Sequence, residues 1–222
     1  MRFVIPLIFG IAGVALLVGL GLWQVERLAW KRGILDQIDA RITAAPVALP
    51  RDPVPEQHRY LPVAVTGTLR GETLRVLVSQ KTAGAGYRLI TALEDAEGRR
   101  ILLDRGFVST DAPLPDLPDG PRAVIGTVHW PDDRTSATPA NDLAANIWFA
   151  RDIDAMAQAL ATDPVLVVAR SITPPEPGVA PLPVTSVGIP NDHLEYAVTW
   201  FSLAAIWAVM TLVFLWRHRR KN

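Results

Sequence analysis

NDHLEYAVTWFSLAAIWAVMTLVFLWRHRRKN, Asn191 to Asn222, decides the fold. Between Glu195 and Arg217, the 21 residues Tyr196 to Trp216 carry no charge. At the α-helical rise such a run is ~30 Å long, the hydrocarbon thickness of a bilayer. Arg217, His218, Arg219, Arg220 and Lys221 close it, a cationic cluster of the kind retained on the cytoplasmic side. His193, one of only four histidines, stands just before the other end. The stretch reads as a membrane anchor with a candidate ligand at its outer mouth.

A second charge-free run, Phe3 to Val25, lies between Arg2 and Glu26. It is longer than the apolar core of a signal peptide, and no clear small-residue cleavage pattern follows it. An uncleaved first transmembrane helix is therefore expected, with a cleaved signal as the alternative. Two spans put both termini on one side, which the C-terminal cluster makes the cytoplasm. Arg27, Lys31 and Arg32 after the first span pull the other way, so the orientation rests on the second.

All 22 acidic residues fall between the spans, in residues 24–195, against 17 of the 22 Lys and Arg, leaving that segment at net −5. An acidic outer domain with a basic inner rim is unlike a nucleic-acid binder. The chain has no cysteine, which excludes disulfides, thiolate metal sites and cysteine catalysis. No Arg- and Ser-rich organelle presequence is seen, which favours a bacterial inner membrane.

Within the outer segment, Leu28, Leu35, Ile38 and Ile42 prolong the first helix beyond the membrane surface, with Gln24, Arg27 and Lys31 on another face. The Pro-rich PVALPRDPVPEQ is an extended connector. Short runs rich in Val, Leu, Ile and Thr then predict strands over Leu61–Arg70, Thr73–Ser79, Tyr87–Glu94, Arg99–Val108, Ala123–Trp130 and Val165–Arg170. Asp152 is placed to cap one helix whose inner stripe is Ile153, Met156, Ala157 and Leu160. The expected fold is a membrane-anchored α+β chain. Transmembrane helices at 3–25 and 196–216 flank a mainly antiparallel β-rich periplasmic domain (26–195) with one or two helices. A basic tail (217–222) remains in the cytoplasm.

Four stretches carry candidate chemistry. His193 can ligate a haem iron or another metal, with Tyr196 and Trp200 as an aromatic wall; an interfacial aromatic belt accounts for the same residues. In GLWQVERLAWK, Trp23, Arg27 and Trp30 share a helical face, and Arg27 or Lys31 can pair with carboxylates; a belt followed by a solvated helix is the plainer reading. In ILLDRGFV, Asp104-Arg105-Gly106 interrupts an apolar strand, as a bulge or a close backbone approach would. Arg105 there could dock an anionic partner or make a structural contact with Asp104. SQKTAGAGYRL lacks both the phosphate-loop and the dinucleotide spacing. The metalloprotease, nucleophile-elbow and Ser-x-x-Lys signatures are absent, so no enzyme is expected.

LGLWQVERLAWK, GYRLITAL, LLDRGFV, NIWFARD and NDHLEYAVTWFSLA, in this order and spacing, resemble the Surfeit locus protein 1 family over nearly the full length. Asp192 and Glu195 flank His193 where that family has Asn and Gln, and Phe107 stands where it often has Trp. The resemblance implies an assembly factor for haem-copper cytochrome c oxidase. It would bind or hand over haem a to the largest oxidase subunit, with His193 as iron ligand, and would work beside the haem a synthesis machinery and membrane lipid. The alternative is a scaffold that stabilises oxidase subunits and binds no haem.

Overall fold

A computed structural model describes residues 4–187 and 189–220. Arg2, Phe3, Lys221 and Asn222, which entered the expected span, tail and charge pattern, lie outside the described residues. The chain forms two compact units: the long helices, Met1–Gln37 with Ser186–Asn222, and the sheet, Ile38–Thr185.

In the helical unit, α1 (Val4–Ile42) and α4 (His193–Arg220) are both long and apolar enough to cross a membrane. Only 11% and 6% of their apolar windows are covered by protein. A core helix of a soluble protein would be mostly buried, whereas these present Ile5, Ile8, Leu16, Ile206, Val209 and Leu212 outward. α1 runs unbroken past Val25, as the apolar stripe predicts.

In the sheet unit the order of elements is β1 (Val47–Ala48), α2 (Pro55–His58), β2 (Pro62–Gln80), β3 (Gly84–Glu94), β4 (Arg100–Ser109), β5 (Pro121–His129), β6 (Ile147–Trp148), α3 (Ile153–Leu160) and β7 (Leu166–Thr173). The strands run β2-β3-β4-β7-β5, and β5 pairs back onto β2, so the sheet closes on itself and leaves none of these five strands with a bare edge. Among these five, only β4 and β7 are parallel; the short β1 and β6 also add to β2 in parallel. The two expected strands Leu61–Arg70 and Thr73–Ser79 are one strand, β2. Gly71, at φ +74, makes an irregularity between Arg70 and Thr73 while both flanks stay paired with β3, so the chain bends and does not reverse. The Pro-rich connector also differs from expectation in holding β1 and the one-turn α2, with Pro55 in its first turn.

The apolar runs ILLDRGFV and VLVVA become β4 and β7 because those strands are buried on both faces. Side chains alternate along them. Ile101, Leu103, Val167 and Ala169 point into one core with Val63, Leu93, Val124 and Val128. Leu102, Leu166 and Val168 join Leu74, Val76, Ile90 and Trp148 in a second, covered by Met156, Ala157 and Leu160 of α3. Asp152 caps α3 by accepting from the Ala155 N–H at 3.2 Å.

At Asp104-Arg105-Gly106 the expected bulge is present: Arg105 and Gly106 oppose the single residue Leu89 on β3. Gly106 takes φ +129, and a Cβ there would strike the carbonyl of Ala180, which pairs with Phe107 through two backbone hydrogen bonds of 2.7 and 2.9 Å. Arg105 corrects the expectation that it docks a partner. Its side chain is fully buried and ion-paired with Glu176, and its Nη1 reaches Thr73 and Thr91. Nor does it pair with Asp104, whose carboxylate takes Arg88 instead. A guanidinium with no exposed surface has nothing to offer a second protein.

Removing one partner of a buried pair strands the other charge. Arg105→Met is expected to cost about 3–5 kcal/mol of stability, with much of it recovered in Arg105→Met/Glu176→Leu. Arg70→Met, at an exposed pair with Glu94, should cost at most about 1 kcal/mol. Denaturant unfolding of the full chain in detergent measures all three.

Candidate functional site

The helical unit is a close antiparallel pair. On α1, Gly10, Gly13 and Gly21 lie against Thr211, Trp207 and Phe201 of α4, in descending order along the second helix. A Cβ at any of the three would overlap those side chains, so the glycines set the approach. Gly19 has nothing within 4 Å. On α4, Ala197 and Ala204 are buried at one and three turns from His193 and carry the same seam. Apolar grooves of about 430 and 470 Å³ flank the pair, one lined by Ile5, Phe9 and Phe214, the other by Leu7, Val14 and Leu215.

At one end of this seam His193 opens α4, and its Nδ1 lies 2.7 Å from Oε1 of Gln24 on α1. Gln24 is 8% exposed, a buried amide. Among the described residues His193 forms no ion pair with Asp192 or Glu195, and Nε2 makes no hydrogen bond. Trp200 is half-buried two turns along from His193, whereas Tyr196 is exposed. Trp23 is exposed as well. Arg27 stacks on Trp30, its guanidinium 4.1 Å from the ring centroid. Gln24, Arg27 and Lys31 follow at spacings of three and four. Both cations therefore lie on the Gln24 face of α1, about 5 and 10 Å further along its axis. Neither forms an ion pair among the described residues. The contact shown is that of the imidazole with Gln24; Arg27 and Lys31 follow along α1, and Trp200 along α4.

Gln24 is a site residue to which the sequence patterns assign no role. A signal for it exists nonetheless: it is the one amide, hydroxyl or charged side chain in the run Phe3–Val25, and a polar group at such a place calls for a partner.

A second polar cluster sits in the sheet unit. Arg151 clamps Asp133 at 2.6 and 3.1 Å and approaches the buried Asp104 at 3.9 Å. Burial pushes the Asp104 carboxyl above its ordinary value against the pull of Arg88 and Arg151. For Asp133 burial also raises, but the Arg151 hydrogen bond and charge together outweigh it and the carboxyl is held low. His129 stacks on Tyr60 at 5.5 Å. Burial, reinforced by the Arg151 charge, lowers its pKa to about 4. This cluster is internally paired and stays a structural element.

The SURF1 family model matches residues 11–205. Surfeit locus protein 1 of Homo sapiens is 31% identical over 211 residues, covering 84% of this chain and 70% of that protein. The Rattus norvegicus protein of that name is 30% identical over 211 residues, with 84% and 68% covered. A SURF1-like protein of Monosiga brevicollis is 34% identical over 225 residues, with 92% and 84% covered.

Two outcomes follow from the packing and the charges. Gly13→Leu or Gly21→Leu should destabilise the helix pair by about 1–3 kcal/mol through overpacking, whereas Gly19→Leu should leave the thermal midpoint in detergent unchanged. For His129, the folded ring stays neutral down to about pH 4, while the unfolded chain takes up a proton near pH 6.5. Its contribution is thus complete above pH 6.5 and is lost as pH falls toward 4, on the order of 2–3 kcal/mol. The difference in unfolding free energy between wild type and His129→Phe should show that slope and flatten above pH 7.

Proposed function

The chain belongs to the SURF1 family, and from that membership we propose that it is a membrane-anchored assembly factor for haem-copper cytochrome c oxidase that binds haem a before the largest subunit receives it. The observation that carries this reading is His193, whose Nδ1 lies 2.7 Å from Oε1 of Gln24 and whose Nε2 makes no hydrogen bond among the described residues.

The donor set fits a haem better than a bare ion. A bare metal ion asks three or more donors of the protein, and among the described residues no group of three His, Cys, Asp or Glu occurs. A porphyrin brings four donors of its own, so one imidazole suffices for an axial bond. When bound, the group would supply an iron centre and two carboxylates. His193 would ligate the iron, Arg27 and Lys31 would meet the carboxylates, and Trp200 and Tyr196 would border the ring. The apolar grooves along α1 and α4 offer room for a hydrocarbon tail. Such a protein is a carrier with no turnover of its own.

The basic last turn of α4, Arg217, Arg219 and Arg220, supports a cytoplasmic position for that end by the positive-inside rule, and we read the membrane as a bacterial inner membrane. His193 and the sheet unit are then on the outer side, where the oxidase subunit and the haem a synthesis machinery would be met. A second reading, a scaffold that holds oxidase subunits and no haem, draws on the uncovered apolar flanks of both helices.

Full-length protein co-produced with haem a synthesis should purify with a Soret band that His193→Ala abolishes or shifts while helicity is kept. A colourless wild type would leave only the scaffold reading.

A further inference from the structure

We propose that Gln24 is a positioning residue for the iron ligand. Its side-chain oxygen accepts from the Nδ1–H of His193 and holds the imidazole in the tautomer whose Nε2 lone pair is open to a metal centre. This rests on the reading of His193 as a haem ligand.

A neutral imidazole carries one ring proton, and only the bare nitrogen can bind iron. Two arrangements of a Gln–His contact exist. If the amide NH2 donates to Nδ1, the proton sits on Nε2 and the outward nitrogen cannot ligate. If the amide oxygen accepts from Nδ1–H, Nε2 is bare. In this structure the atom facing Nδ1 at 2.7 Å is Oε1. That distance lies within the range of an N–H···O hydrogen bond.

The surroundings hold the amide in place. Gln24 is buried on the inner seam of α1, one turn from Gly21, where the missing Cβ lets Phe201 of α4 close in. Leaving the amide without a partner at the edge of an apolar seam would be costly. The two residues are 169 apart in sequence and meet only because α1 and α4 pack. Metal-ligating histidines are as a rule held at their other nitrogen by an oxygen acceptor, and loss of that acceptor weakens metal binding by about 10- to 100-fold.

The full chain, 15N-labelled at histidine in detergent, tests this without any cofactor. The four histidines are separated by comparison with His193→Ala. Wild type should show His193 protonated at Nδ1 and bare at Nε2. Gln24→Leu should shift the ring toward the Nε2–H tautomer, and Gln24→Glu, which keeps an acceptor, should hold the wild-type tautomer. On haem-loaded protein, transfer of haem to an apo-globin trap should quicken about 10- to 100-fold in Gln24→Leu and not in Gln24→Glu. A wild-type ring already protonated at Nε2 would overturn the proposal, as would a Gln24→Leu variant with wild-type tautomer and haem loss. If Gln24→Leu does not fold, a Gln24→Glu variant bearing the Nε2–H tautomer does the same. Bound haem indifferent to His193→Ala, or a colourless wild type, would instead overturn the function reading and with it the role of Gln24. Haem lost with His193→Ala but not with Gln24→Leu would sink the positioning role alone.

Discussion

The close approach of α1 and α4 is the constraint on which the helical unit depends. In lipid there is no hydrophobic reward for helix association, so contact has to come from packing and from the few polar groups available. Gly10, Gly13 and Gly21 give up their side chains so that Thr211, Trp207 and Phe201 can fill the seam. Once the backbones are that near, a side chain as short as glutamine bridges to the first residue of the opposite helix. The glycines make the geometry and the amide–imidazole hydrogen bond exploits it.

The sheet unit answers a different constraint, the pairing of every strand edge. Closing β5 onto β2 removes the exposed edges, and α3 covers the second face of β4 and of the first half of β7, so both stretches are apolar on both sides. Into that doubly buried strand the chain inserts two charges, Asp104 and Arg105, at a bulge. Each finds its own counter-ion: Arg88 for the aspartate, and Glu176, 71 residues further on, for the arginine. Buried pairs of this kind add little net stability over an apolar core. Their effect is positional, tying the segment around Glu176 and Ala180 to the bulge, where Gly106 leaves room for it.

What could be read from the sequence was what is encoded locally. Charge-free runs gave both long helices, and the cap at Asp152 with its apolar stripe gave α3. Gly106 announced the bulge because a glycine weakens an apolar strand unless the backbone there must bend or be closely approached. Gly71 misled for the same local reason: a glycine between two strand-like runs reads as a turn, and only the pairing of both flanks with β3 shows one bent strand. The fate of Arg105 and the partner of Gln24 were beyond reach. Each depends on a residue 71 or 169 positions away, and no periodicity carries that information.

The two units therefore treat buried polar groups in opposite ways, and the contrast is what separates a site from a framework. Asp104 and Asp133 have their guanidinium partners inside the sheet unit. His129 has a buried Nδ1 with no hydrogen bond, but it is kept neutral against Tyr60 beside the cations Arg151, Arg59 and Arg88, which would repel a metal ion. His193 is different. Nδ1 lies against the uncharged Oε1 of Gln24, and Nε2 makes no hydrogen bond among the described residues. On the proposed tautomer such an imidazole would have its orientation set and its Nε2 lone pair in reserve, the condition a ligand-binding histidine has to meet before any ligand arrives.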